Sequence, residues 1–237
     1  MERVKPWELL GEATAPGGET LTLMRQDREF VILANGRPLM SSRMHGSEEA
    51  LAEFGCSHVS RAEEPRVLVG GLGMGFTLAA TLRQLPAAAR VVVAELVPGV
   101  VEWNRGALGE CAGRPLKDRR VEVAVGDVLE TLAEGAVGFD AVLLDVDNGP
   151  DAFTAAGNAT LYGDRGLAII RAALKPGGVA AVWSAWEDRK FEQRLRAAGY
   201  SVRVERVRAR LKKGGPWHTI FLGTPSGSPV GRARDRH

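Results

Sequence analysis

The chain has 237 residues, of which 45% are hydrophobic and 25% are charged, and these proportions are ordinary for a globular protein. Its formal net charge of +2 at pH 7 is small, so overall charge neither favours nor excludes a nucleic-acid partner. Cys56 and Cys111 are too few for a disulfide framework or a cysteine-based zinc site. The sequence has no apolar run of about 20 residues and no signal peptide, so we expect a soluble, cytoplasmic protein.

The N-terminal part of the chain predicts a small β unit behind a loose arm. Residues 1–18 are rich in proline and glycine, which predicts a flexible arm. Alternating side chains follow, and the pair Asn35-Gly36 is a strong signal for a hairpin turn. We therefore predict about three strands and a linking helix over residues 19–62, with Ser47 as the helix N-cap and acidic residues in the first turn.

From residue 63 to residue 225 the pattern becomes a strand–helix alternation, which predicts a parallel sheet covered on both faces. A short connection joins the last two predicted strands, so we expect the sheet to end in an antiparallel hairpin. The tail over residues 226–237 is predicted to be disordered. The predicted strands cover residues 67–70, 91–95, 121–125, 141–145, 179–183, 200–210 and 218–223, and the predicted helices begin near residues 75, 98, 129, 165 and 188.

This arrangement predicts the fold class. A mostly parallel seven-stranded sheet that ends in an antiparallel pair is the architecture of class I adenosylmethionine-dependent transferases. A dinucleotide dehydrogenase would more often continue with a second βαβ half. We therefore predict an α/β, Rossmann-like methyltransferase fold with a small N-terminal β unit.

A glycine-rich turn follows the first strand of this sheet. The dinucleotide fingerprint Gly-x-Gly-x-x-Gly is not met, because the sixth position is Phe76 for a frame starting at Gly71 and Leu78 for one starting at Gly73. The spacing Gly71-x-Gly73-x-Gly75 is instead the one seen in adenosylmethionine binders. The alternative is a tight strand-to-helix turn with no ligand.

Acidic residues follow the next two strands. Glu95 ends the second strand of the sheet, where a carboxylate can accept both ribose hydroxyls. Asp127 follows the third strand and is predicted to reach the adenine amino group, or to cap the helix that follows, or both. For Glu95 the alternative is a solvated acid at a strand end.

The exit of the fourth strand carries the candidate catalytic residues Asp145, Asp147 and Asn148. In open α/β sheets, ligands sit beyond the carboxyl ends of the strands, near the point where the strand order reverses. Two carboxylates close together raise one pKa, which suits proton acceptance from an amine, and they attract a cationic acceptor. The alternative is a turn in which residues 147–149 only supply loop chemistry.

Aromatic residues give two weaker candidates. Residues 158–162 are predicted to form a loop over the site with Tyr162 as a lid, or to pack on the surface. Trp183 and Trp186 either line an acceptor pocket or belong to the core, and we favour the core. His45 and His218 lack neighbours at ligand spacing, so we predict no metal.

A basic stripe lies near the C-terminal end of the chain. Arg206, Arg208, Arg210 and Lys212 alternate and therefore share one face of a strand beside Trp217. Such a stripe can bind an anion or RNA, or it can guard a sheet edge with charge. We favour the edge, and we do not expect a nucleic-acid partner.

The sequence resembles the spermidine synthases, or polyamine aminopropyltransferases. In that family an N-terminal β unit precedes a methyltransferase-like domain. The resemblance implies binding of S-adenosylmethionine or its decarboxylated form, transfer of an aminopropyl group to an amine, and a homodimer. It rests on the β unit and on motifs over residues 70–75, 93–96, 126–127, 144–145 and 174–178.

Several positions depart from the family pattern. The family's glycine loop carries an aspartate that holds the aminopropyl ammonium, and Met74 occupies that position here. The family's fourth strand leaves through Asp-x-x-Asp, and the second acid falls on Asn148, with Asp147 one residue earlier.

The N-terminal unit departs as well. A glutamine that helps to hold the nucleoside falls near Leu39, and a tyrosine–histidine pair is missing, with Glu48 and Glu49 nearby. The motif positions that bind the nucleoside in the family are thus mostly kept, and the positions that bind the polyamine are mostly different. Two alternatives follow: a methyltransferase acting on a small molecule or RNA, and a nucleoside-binding family member without catalysis.

Overall fold

The computed structural model describes residues 5–59, 62–134, 138–146, 160–210 and 214–227. Within these ranges, a four-stranded sheet precedes a seven-stranded sheet, and helices pack on both faces of the larger sheet. The predicted α/β fold class is confirmed. No helix in these described ranges is both long and apolar enough to cross a membrane.

The smaller sheet is antiparallel, with its strands in chain order. Its strands are β1 Glu8–Thr14, β2 Thr20–Gln26, β3 Glu29–Ala34 and β4 Arg37–Ser41. The prediction of a flexible arm over residues 1–18 is therefore wrong for β1, and the described unit has four strands instead of about three. A register shift between Leu9 and Gly11 interrupts the alternation of β1, so the strand signal is weak in the sequence.

The first helix differs in detail from the prediction. The helix α1 covers Gly46–Cys56, so Ser47 lies inside it and His45 occupies the N-cap position. The predicted N-cap role of Ser47 is wrong, because its hydroxyl donates to the carboxylate of Glu48 (2.7 Å). Two acidic residues do lie in the first turn, as predicted.

The larger sheet contains the predicted strand–helix alternation. Its strands are β5 Arg66–Gly70, β6 Arg90–Glu95, β7 Val121–Val125, β8 Phe139–Leu144, β9 Leu174–Ser184, β10 Tyr200–Arg208 and β11 Trp217–Pro225. They lie in the order β10-β11-β9-β8-β5-β6-β7. The strands β5 to β9 run parallel, and β11 pairs antiparallel with both β9 and β10. The strand order reverses at β5, which has β6 on one side and β8 on the other.

The remaining helices divide between the two faces of this sheet. They are α2 Phe76–Gln84, α3 Pro98–Arg105, α4 Val128–Glu134, α5 Asp164–Ala173 and α6 Arg189–Ala197. One core cluster joins the sheet to α1, α2 and α3, and the opposite cluster joins it to α4, α5 and α6. Side chains that alternate along a strand point to opposite faces, so Ala141, Leu143 and Asp145 share the α1 face.

Candidate active site

The glycine turn between β5 and α2 lies at the point where the strand order reverses. Gly71, Gly73 and Gly75 have φ values of +89°, +50° and +83°, which side-chain-bearing residues rarely adopt. A Cβ atom at Gly71 would lie 2.2 Å from the carbonyl oxygen of Asp145. The turn thus requires glycine and lies directly against the exit of β8.

Asn104 on α3 holds the turn from below, and the sequence pattern gave no signal for it. It is fully buried, and its Nδ2 donates to the carbonyl oxygens of Gly73 (2.8 Å) and Val100 (2.9 Å). Met40 of β4 covers the turn, since a Cβ atom at Gly73 would lie 2.8 Å from its methyl carbon. The smaller sheet therefore contacts the candidate donor site.

Met74 does not have a polar environment. Its side chain is 1% exposed and packs in an apolar cluster with Leu23 and Ile32 of the smaller sheet and with Phe76 and Leu108. We call this set, together with Phe30, the inter-sheet cluster. An aspartate at this position would place a carboxylate among apolar side chains, so the methionine fits the packing around the turn.

Glu95 is fixed by the backbone beside the turn. The N–H of Leu72 donates to Oε2 (2.9 Å) and the N–H of Val97 donates to Oε1 (2.9 Å). The carboxylate is buried at the end of β6. A carboxylate oxygen has two lone pairs, so an oxygen that accepts one N–H can also accept a second donor.

Asp127 lies beyond the neighbouring strand β7. Its Oδ1 accepts the N–H of Leu129 (2.7 Å), so the predicted capping role is confirmed. Two exposed apolar side chains lie close in sequence to these acids: Leu96 (47% exposed) follows Glu95, and Val125 (55%) is the residue paired with Glu95 across the strands. The sequence analysis did not single out these two side chains, because their exposure is visible only in the folded structure.

Asp145 leaves β8 on the face that α1 and α2 cover. Its Oδ2 accepts a short hydrogen bond from the hydroxyl of Thr77, and its N–H donates to the carbonyl oxygen of Gly70 (2.8 Å). Burial raises the pKa of Asp145 to about 6, although the Thr77 bond acts in the opposite direction. The carboxylate therefore lies beside the glycine turn with a pKa in the range of a general base.

Glu48 on α1 is a second carboxylate, and it interacts electrostatically with Asp145. It is 8% exposed, and burial together with the negative charge of Asp145 raises its pKa to about 8. The sequence analysis noted Glu48 only as the residue near a missing tyrosine–histidine pair. The pairing with Asp145 depends on how α1 packs on the sheet, which no local pattern reports.

The other predicted site residues fall elsewhere. Asp147, Asn148 and residues 158–159 lie outside the described residues. Tyr162 is 1% exposed and packs edge-on against Phe191 (5.5 Å), so its predicted role as a lid is wrong. Trp183 is buried in the core, as favoured, and Trp186 is exposed.

The basic stripe is partly engaged within the chain. Arg206 and Arg208 stack over the ring of Trp217, at 5.3 and 3.9 Å from its centroid. Arg206 also pairs with Glu187 (3.2 Å). These contacts favour the interpretation of the stripe as a charged sheet edge, and Lys212 lies outside the described residues.

Comparison with known proteins adds three findings. The family model described as Spermine/spermidine synthase domain matches residues 44–197. Among solved structures, the chain is similar to a spermidine synthase from Thermotoga maritima and to a spermidine synthase in complex with the transition state analogue AdoDATO. Each comparison has a TM-score of 0.69 and 17% sequence identity, and covers 91% of this chain and 72% of the solved chain. A search of curated proteins gives no match.

The two kinds of match support different statements. At 17% identity, the structural likeness shows the fold alone. The family match covers most of the chain, including α1, the glycine turn, Glu95 and Asp145. This chain therefore belongs to the spermine/spermidine synthase family and is an aminopropyltransferase-like transferase.

Proposed function

We propose that this protein binds a sulfonium donor of the S-adenosylmethionine type and transfers an alkyl group from it to an amine. The expected donor is decarboxylated S-adenosylmethionine and the expected group is aminopropyl. The proposal rests above all on one observation, the contact of Gly71 with the backbone of Asp145. This contact supports the proposal because the glycine turn lies against the end of β8, where the half-buried side chain of Asp145 begins.

The donor half of the site is assigned to the strand ends of β5, β6 and β7. Glu95 would accept the ribose hydroxyls, because its carboxylate is already aligned by two backbone N–H groups. Leu96 and Val125 offer apolar surface to the faces of an adenine ring, and Asp127 would accept its amino group. These side chains fit a nucleoside, and they do not form a phosphate cradle.

The acceptor half is assigned to Asp145, with Asp147 and Asn148 as further candidates beyond the described residues. An amine acceptor reaches the site as an ammonium ion and must lose a proton before its nitrogen can attack. A half-buried carboxylate with a raised pKa can both attract the ammonium and take that proton.

The reaction we propose is an in-line displacement. The neutral acceptor nitrogen forms a bond to the carbon next to the sulfonium, the carbon–sulfur bond breaks, and the sulfur keeps the electron pair. The proton removed from the acceptor goes to the carboxylate and then to solvent. The protein contributes mainly by holding the two substrates in line.

Methyl transfer is the second candidate, and Met74 is the observation that favours it. A charge-assisted bond to an ammonium contributes about 1.5–3 kcal/mol, and the family aspartate that would make it is replaced by an apolar side chain. S-adenosylmethionine carries the same ammonium, but it also has a carboxylate through which it can be held, so its binding depends less on this one contact. A nucleoside-binding protein without catalysis is the third outcome to be distinguished.

Calorimetry and mass spectrometry test the proposal. We expect binding of decarboxylated S-adenosylmethionine and of methylthioadenosine, and loss of both in Glu95→Ala. The matched control is Glu102→Ala, an exposed acid on α3 that pairs with Arg105. With 1,4-diaminobutane as the acceptor, the product should gain an aminopropyl group. A methyl gain from S-adenosylmethionine would favour the second candidate, and no binding of any of these nucleosides would overturn the proposal.

The family resemblance also suggests a homodimer in the cytoplasm. Sedimentation equilibrium of the full chain tests the first of these expectations, and fractionation of cells that express it tests the second.

A further inference from the structure

A chain of hydrogen bonds runs from Glu48 on α1 to His218 on β11. The hydroxyl of Ser47 lies 2.7 Å from Oε2 of Glu48, and Nδ1 of His218 lies 2.8 Å from the same hydroxyl. His218 is on β11, 171 residues away from Ser47 in sequence. Three side chains from α1 and β11 thus connect the buried carboxylate with a half-buried imidazole.

The number of protons on these three side chains determines which group donates in each hydrogen bond. Burial lowers the pKa of His218, so at neutral pH the ring is neutral and carries one N–H. When Glu48 is ionised, Ser47 donates to it, and His218 must donate from Nδ1. When Glu48 is protonated, Glu48 donates to Ser47, Ser47 donates to Nδ1, and the ring proton is on Nε2.

The two directions differ by one proton. When Glu48 ionises, its proton moves to the oxygen of Ser47, and the original Ser47 proton moves to Nδ1 of His218. The proton on Nε2 of His218 then leaves to water. No heavy atom has to move, since the same three contacts serve both directions. The two hydrogen bonds therefore meet the geometric requirement of a proton path from Glu48 to His218.

The groups around Glu48 determine what drives that proton out. Asp145 faces it from the end of β8 and Glu49 acts on it from its own helix. Glu49 is itself paired with His45 (2.9 Å) and with Arg83 of α2 (3.1 Å). The larger of the two charge interactions that act on Glu48 is thus with Asp145, another carboxylate, and a cation placed between the two would favour ionisation of both.

Trp183 carries a buried donor beside His218, at the end of this hydrogen-bond chain. Its ring packs edge-on against His218 (4.7 Å), and it is 8% exposed. In the part of the chain that the structure describes, its buried Nε1–H has no hydrogen-bond partner. A buried donor without a partner is costly, so we expect a ligand or water to accept it.

We propose that Glu48 is the second carboxylate of the acceptor site, and that a cationic amine binding beside Asp145 drives the Glu48 proton out through Ser47 to His218. This inference rests on the proposed function, because it concerns the acceptor half of that site. Glu48 contacts the ammonium, whereas Ser47 and His218 are positioning residues that act through it. The inference specifies that the acceptor binds as an ammonium ion and that its binding releases the proton of Glu48.

The tautomer of His218 tests the hydrogen-bond path without any substrate. In the full chain labelled with ¹³C and ¹⁵N, His218 should change from the Nε2–H to the Nδ1–H tautomer as Glu48 ionises, around pH 8. The change should be absent in Glu48→Gln and in Ser47→Ala, and retained in Glu49→Gln. A His218 that keeps one tautomer in the wild type through this range would overturn the path.

Proton release tests the acceptor site itself. In the methylthioadenosine complex at pH 7, 1,4-diaminobutane is titrated in two buffers of different ionisation enthalpy. We expect release of about one proton per amine in the wild type and in Glu49→Gln, and close to none in Glu48→Gln. If methylthioadenosine does not bind, the proposed function fails while the tautomer test still decides the path. If it binds and the amine either fails to bind or binds without proton release, the inference is overturned.

Discussion

The two backbone hydrogen bonds of Glu95 predict that this residue stabilises the fold even without a ligand. In Glu95→Gln the side chain keeps its shape, but one of its two acceptors becomes an NH₂ donor. One of the N–H groups of Leu72 and Val97 then loses its partner, and the other exchanges a charged acceptor for a neutral one.

The expected magnitude follows from these two contacts. A hydrogen bond to a charged group contributes about 1.5–3 kcal/mol and a neutral one about 1 kcal/mol. The substitution should therefore lower the free energy of unfolding by about 2–4 kcal/mol. For a chain of this size the midpoint of thermal unfolding should fall by about 5–15 °C.

Circular dichroism measures this midpoint with and without saturating methylthioadenosine. The control is Glu102→Gln, because Glu102 is 65% exposed and such surface pairs contribute about 0–1 kcal/mol. The ligand-free Glu95→Gln protein should already unfold well below the wild type, and methylthioadenosine should not restore the difference. A ligand-free midpoint equal to that of the wild type would refute the structural role of Glu95.

Four further predictions concern the turn and the acid pair. Gly71→Ala should abolish methylthioadenosine binding, because the new Cβ would force the turn away from Asp145; calorimetry measures this. Asn104→Ala should lower the free energy of unfolding by about 2 kcal/mol through the lost bonds below the turn, as measured with urea. Met74→Asp should cost more than about 4 kcal/mol in the same assay, because it buries a carboxylate among apolar side chains. The raised pKa of Glu48 means that the folded state binds its proton more tightly than the unfolded state does. The contribution of Glu48 to stability is therefore fully present below pH 4.5 and is lost as pH rises towards 8, so Glu48→Gln should lose less stability than the wild type between these two pH values, as measured with urea.

Matched variants separate these effects from general damage. Gly113 also has a positive φ (+75°) but no atom within 4 Å of its would-be Cβ, so Gly113→Ala should leave nucleoside binding intact. Met74→Leu keeps the apolar volume and should stay close to the wild type. Equal losses in Gly113→Ala and Gly71→Ala, or in Met74→Leu and Met74→Asp, would contradict these predictions.

The strand-end acids could be predicted from sequence because parallel strands bring their carboxyl ends to one edge. Glu95 ends a short apolar strand and Asp145 directly follows another, and the glycine turn follows β5, which lies between those two strands. Predicting that these acids lie at one edge did not require knowledge of the strand order. The same regularity predicted most of the larger sheet.

Two of the missed features depend on packing between distant segments. Ser47 reads as a helix cap, yet its hydroxyl faces His218 because α1 lies across β11. Tyr162 reads as a loop residue, yet α6 covers it. The strand β1 was missed for a local reason, the bulge at Gly11, where Trp103 occupies the space that a side chain would need.

The inter-sheet cluster makes the two sheets one cooperative folding unit. Met74, Phe76 and Leu108 are buried against side chains of the smaller sheet. Burying a large apolar side chain contributes about 1.5–3 kcal/mol, so exposing these three would cost up to about 5–9 kcal/mol. Whole domains are stable by about 5–15 kcal/mol. A fragment that begins after β4 would therefore lack most of its stability, and the boundary near residue 63 marks a change of architecture within a single unit of folding.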